Sequence, residues 1–264
     1  MPGTVIPTFK SVPPLTAESA RRILGGEAAM WSEVVSAGTI DSRIWPRAAA
    51  VAEKLWSPAE ATQDVEDMYR RLDHVSTVLT ARGVTHETAY PTALRDLLGD
   101  DDIEPLRTLV DVLEEVKQYR RMAFDPEQTL EPELKSLADV ARPESRIARQ
   151  FARRVDATLA DTSRRAGVPE LREQLTGWRD NHARLTPLLA KARQSQDLLA
   201  LSERLSTAAG AGLVALDAIE RRETLSEAEA TRYRDVLARA AAARAAVTIA
   251  AIPAIRNLVE RAAR

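Results

Sequence analysis

From Ser57 to Arg264, apolar residues recur every three or four positions, the spacing that lines one face of an α-helix. Met68, Leu72, Val75 and Leu79 form one such stripe, and Ile147, Phe151, Val155 and Leu159 form a second. The longest passes through Leu198, Leu201, Leu205, Ala208, Ala209, Leu213, Leu216 and Ile219. Ser57-Pro58-Ala59-Glu60 and Ser226-Glu227-Ala228-Glu229 read as capping boxes, which satisfy the free N–H groups of a helix start. Pro143 is expected to open the second striped helix. Alanine-rich residues 238–244 favour helix by intrinsic propensity. No fixed period links these segments, so a regular solenoid is not expected.

The first 57 residues differ. Thr16-Ala17-Glu18 begins a short helix ending near Arg22, and Ile23-Leu24-Gly25-Gly26 is a short apolar run that suits a buried strand. Ile44, Ala48, Val51, Ala52 and Leu55 then mark a helix from Arg43 to Trp56, with Pro46 in its first turn. A lone strand cannot satisfy its backbone groups without neighbours. Residues 1–57 are therefore expected to expose apolar surface and to associate or dissolve poorly. Pro126, Pro132 and Pro143 make residues 125–143 the best linker candidate in the helical part.

Composition removes several function classes. With 37 Lys and Arg against 39 Asp and Glu, the net charge of −2 gives no electrostatic case for nucleic acid or an anionic membrane. No cysteine is present, so disulfides and thiolate metal sites are out, while either a cytoplasmic or an exported setting stays open. No apolar run of about 18 residues predicts a membrane-spanning helix, and MPGTVIPTFKSVPP lacks the pattern of a signal peptide. His74, His86 and His182 are scattered without metal-ligand spacing, so no metal or other cofactor is expected.

Residues 23–57 carry the chemistry. They hold Gly25-Gly26-Glu27-Ala28, Trp31-x-Glu33, Arg43-x-Trp45-Pro46-Arg47 and Ala52-Glu53-Lys54-Leu55-Trp56-Ser57. This combination closely resembles the last strand, loop and helix of the (β/α)8 barrel in family 20 glycoside hydrolases, the β-N-acetylhexosaminidases. More weakly, Val116-Lys117-Gln118-Tyr119 and Ala141-Arg142-Pro143-Glu144-Ser145 resemble helical tails of some bacterial members. The fold class expected is mainly α: one β/α unit of an incomplete barrel in residues 1–57, then a helical region over 58–264.

The resemblance implies that Trp31 and Glu33 bind substrate, a terminal N-acetylhexosamine. Glu33 would accept hydrogen bonds from hydroxyls at the non-reducing end, and charge-assisted bonds are the stronger kind. Trp31 would wall the ring and its N-acetyl group, since an indole offers a flat, rigid apolar face. The family hydrolyses by substrate-assisted retention, in which the acetamido oxygen attacks the anomeric carbon and a glutamic acid protonates the leaving oxygen. That acid belongs to an Asp-Glu pair on the fourth strand, and no Asp-Glu dipeptide occurs in these 264 residues. No catalytic residue is therefore assigned, and the chain is expected to be inactive alone.

Glu27 is expected to be structural, Trp45, Arg47 and Trp56 to anchor the last barrel helix, and Asp41 to pair with Arg43 at a helix entry. Asp100-Asp101-Asp102 reads as a solvated turn. Two other readings stay open: a helical interaction protein carrying a barrel remnant, and a chain that completes a barrel with a separate polypeptide.

Overall fold

A computed structural model of the chain describes residues 15–32, 34–124, 135–160 and 167–264. Its helices and strands follow in the order α1 Ala17–Arg21, α2 Ile40–Ile44, α3 Arg47–Trp56, α4 Val65–Ala81, α5 Ala89–Leu98, α6 Glu104–Val110, β1 Leu113–Glu115, α7 Leu137–Val140, α8 Arg146–Ala160, α9 Val168–Leu185, α10 Ser195–Arg221, α11 Glu227–Ala241, β2 Val247–Ile249 and α12 Ile252–Ala262. The chain is mainly helical, as the apolar spacing predicts.

The stripe from Leu198 to Leu216 buries one face of α10, the longest helix. It packs between α9 and α12 and against α11. Gly212 marks the tightest point: a Cβ there would meet Leu175 of α9 at 3.0 Å and Ile255 of α12 at 3.2 Å. Phe151 of α8 meets Trp178 of α9 edge to face, with ring centroids 4.7 Å apart. Leu94, Leu97 and Leu98 of α5 and Leu106 and Leu109 of α6 extend the same core. Every buried hydrophobic residue among those described lies between Tyr90 and Ala262.

The strands of the structure are not where the sequence places one. β1 and β2 pair antiparallel, Leu113 opposite Ile249 and Glu115 opposite Val247. The helix expected over 238–244 ends at Ala241, and Ala245 and Ala246 turn the chain into β2 with φ of 47° and 59°. Ile23–Gly26 forms no ladder with any described residue, and Leu24 is fully exposed. A strand needs a neighbour to bond to, and the described part of the chain offers it none.

Three start signals read differently. The helix expected over Arg43–Trp56 breaks at Trp45-Pro46 into α2 and α3. Ser57 makes no capping bond: Ala59–Thr62 is a 3₁₀ turn, and Asp64 caps α4 by accepting from the N–H groups of Glu66 and Asp67. Pro143 precedes α8 by three residues instead of opening it. By contrast, Ser226 and Glu229 form the expected capping box, and Thr16 caps α1. Of the linker candidate, 125–134 falls outside the described residues, and 137–141 are buried against the core.

Candidate functional site

The sequence places its chemistry on the loop between α1 and α2. Trp31 lies there and is 78% exposed. Glu33 falls outside the described residues. Glu27 is exposed too. The described residues therefore present Trp31 on an open face, not in an enclosed subsite.

A turn at Ser36 leads into α2. The Ser36 N–H donates to Thr39 Oγ1 at 3.0 Å, and its carbonyl accepts from the N–H groups of Thr39 and Ile40. The expected Asp41–Arg43 pair does not form. Side chains two positions apart on a helix point to different faces, and each finds a distant partner. Asp41 Oδ2 accepts from the Thr85 N–H at 2.8 Å and the Thr85 hydroxyl at 2.9 Å. The backbone bond, then the hydroxyl, holds the Asp41 carboxyl below its usual value.

Arg43 is 6% exposed. One terminal nitrogen donates to Ala138 O at 2.9 Å and Asp139 O at 3.0 Å, the other to Ala141 O at 3.2 Å and Glu115 Oε1 at 3.3 Å. Arg121 bridges Glu115 and Asp139 behind it. Two guanidiniums thus close against two carboxylates where α2, β1 and α7 meet. Burial depresses the Arg43 pKa despite these partners. Sequence reasoning missed this cluster. Its only local signal is that Arg43 belongs to the Arg43-x-Trp45-Pro46-Arg47 motif.

Arg47 donates to the Arg43 carbonyl, and Glu53 of α3 pairs bidentately with Arg71 of α4 at 2.7 and 2.8 Å. Trp56 anchors nothing described: it is 92% exposed. Trp45 is half-buried on the wall of a cleft of about 230 Å³ between the α2–α3 turn, α4 and the start of α8. Charges there are largely paired within the protein. Arg142 meets Glu87 at 2.7 Å, Arg146 meets Asp73 at 3.2 Å, and Arg149 stacks 3.3 Å over the Tyr69 ring. Tyr69 donates to Glu144 at 2.6 Å, and burial, then that carboxylate, pushes its pKa up to about 12. Tyr90 donates to Asp111 at 2.8 Å, and burial raises both groups.

The histidines stay apart. His74 is exposed, His86 is buried with Nε2 2.7 Å from Ser76 Oγ, and His182 Nδ1 lies 3.1 Å from Ser202 Oγ. No group of three metal-binding side chains occurs among the described residues. No described helix is long and apolar enough to cross a membrane.

Comparison with known proteins bears on the same segment. Residues 5–59 match the catalytic domain of glycosyl hydrolase family 20. The chain is related to family 20 β-hexosaminidases. Beta-hexosaminidase A of Caenorhabditis briggsae is 49% identical over 61 residues, 23% of this chain and 11% of that protein. The chitooligosaccharidolytic beta-N-acetylglucosaminidase of Ostrinia furnacalis is 46% identical over 78 residues, 29% of this chain and 13% of that one. The crystal structure of the family 20 chitobiase of Flavobacterium johnsoniae superposes with a TM-score of 0.82 at 31% identity, over 93% of this chain and 36% of that chain. The likeness to that family 20 protein therefore includes the helical body as well as the motif segment. The chain spans a minor part of each of these relatives.

Proposed function

We propose that this chain supplies the sugar-contacting end of a family 20 catalytic domain, with Trp31 and Glu33 binding a terminal N-acetylhexosamine. The observation that carries the reading is the run of family motifs across residues 23–57, inside the segment matching the family 20 catalytic domain. Hydrolysis would proceed by attack of the substrate's own acetamido oxygen on the anomeric carbon while an acid protonates the departing oxygen. These 264 residues hold no Asp-Glu dipeptide to serve as that acid and its partner. Activity therefore requires carboxylates from polypeptide other than these residues.

The test is a mixing experiment. This chain is assayed with an aryl N-acetylglucosaminide, alone and together with the first seven β/α units of a family 20 relative. The expected result is no hydrolysis alone and hydrolysis in the mixture. Glu33→Gln should lower kcat/KM roughly tenfold to a hundredfold, the worth of a hydrogen bond to a charged group. Hydrolysis by the chain alone, or a mixture indifferent to Glu33→Gln, would overturn the proposal.

One observation favours a second reading, a helical binding protein. Among the described residues the apolar core lies wholly between Tyr90 and Ala262, so the helical body owes no apolar core residue to the described part of the motif segment. On that reading residues 58–264 alone unfold cooperatively and retain the chain's full binding behaviour.

A further inference from the structure

We infer that Arg43 and Asp41 are positioning residues, through which the helical body fixes α2 and with it the Ser36–Thr39 turn that ends the loop carrying Trp31. This rests on the role proposed above for that loop. A five-residue helix is too short to hold itself, and α2 buries no residue except Arg43. What holds it comes from the helical body on two sides. Asp41 takes both the N–H and the hydroxyl of Thr85, beyond α4. Arg43 enters the body and caps the end of α7, where carbonyls lack helical partners, by donating to Ala138, Asp139 and Ala141.

The Ser36–Thr39 turn bonds directly into the first residue of α2. Buried ion pairs are weak sources of stability, because desolvation offsets much of the attraction. Their well-attested use is to fix one arrangement out of several. The Arg43, Arg121, Glu115 and Asp139 cluster fits that use, since it joins the motif segment to β1 and α7 without contributing apolar burial. The helical body thus sets where the sugar-contacting loop begins its return.

Amide hydrogen exchange on the full 264-residue chain tests this, comparing wild type with Arg43→Gln, Arg43→Lys and Asp41→Ala. Exchange at the bonded amides of Ser36, Thr39, Ile40, Arg43 and Trp45 should rise at least tenfold in all three, with α9, α10 and α12 unchanged. Lysine should not rescue, because one ammonium cannot reproduce a planar fork bonded to three carbonyls and a carboxylate. Asp41 is only half-buried, so Asp41→Ala keeps the test open should Arg43 variants fail to fold. In the mixed assembly above, Asp41→Ala should raise KM severalfold and change kcat less. Unchanged exchange at those five amides, an equal rise throughout the body, or altered exchange with unaltered KM would each overturn the inference. An inactive wild-type mixture would instead count against the proposed function, and the exchange at those amides would still decide whether these two residues hold α2 and its preceding turn.

Discussion

Gly210 and Gly212 sit two residues apart in α10, and the same substitution should move stability in opposite directions at the two sites. Alanine in a helix interior is favoured over glycine by about 0.8–1 kcal/mol. At Gly210 a new Cβ meets nothing within 4 Å, so Gly210→Ala should gain close to that amount. At Gly212 the methyl would lie 3.0 and 3.3 Å from the Leu175 side chain and 3.2 Å from Ile255. Both neighbours are fully buried, in a core that α9, α10 and α12 build together. Overpacking such a site costs about 1–3 kcal/mol. After the propensity gain, Gly212→Ala should end about 0–2 kcal/mol less stable than wild type. Urea unfolding followed by far-ultraviolet circular dichroism measures both, provided the slope m stays constant. Equal stabilisation by the two substitutions would mean the three helices do not converge at Gly212 as described.

Phe151→Ala should cost about 3–5 kcal/mol, because Phe151 is fully buried against the edge of Trp178; a loss below about 1 kcal/mol in urea unfolding would refute that packing. Burial holds the Asp111 carboxyl above its usual value, so the folded state binds a proton more readily than the unfolded chain, and ionised Asp111 weakens the fold as pH rises through that pKa. Asp111→Asn keeps an acceptor for Tyr90 and removes the charge. Thermal unfolding should therefore find it more stable than wild type at pH 7, with the advantage fading as pH falls towards about 4 and gone below it.

The elements legible in the sequence are those whose signal is local. The α10 stripe, the Ser226–Glu229 box and the Thr16 cap all lie within a few residues of what they specify. The family motifs were legible because many residue identities agree over a short span. Competition between neighbours hid other features. Asp64 out-competes Ser57 as the cap of α4, and Pro46, which has no N–H, leaves α2 and α3 as separate pieces. The three-residue strands are too short for any period to show. The sequence offers Arg43 only Asp41, two positions away, and nothing near it points to Ala138, Asp139 or Ala141. The site itself was legible as motif but not as geometry: Trp31 stands exposed, and Glu33 falls outside the described residues.

The β1–β2 ladder bears on the order in which the body can be completed. β1 follows α6 and β2 follows α11, so the two strands bracket α7 to α11 in the chain. Long-range pairing of this kind is entropically slow to close. On a ribosome, Leu113 would emerge long before Ile249, the residue it faces. Glu115, one of the carboxylates around Arg43, lies on that same early strand. The grip of the helical body on the motif segment therefore matures only after Val247–Ile249 have been made, although the motif segment precedes them in the chain.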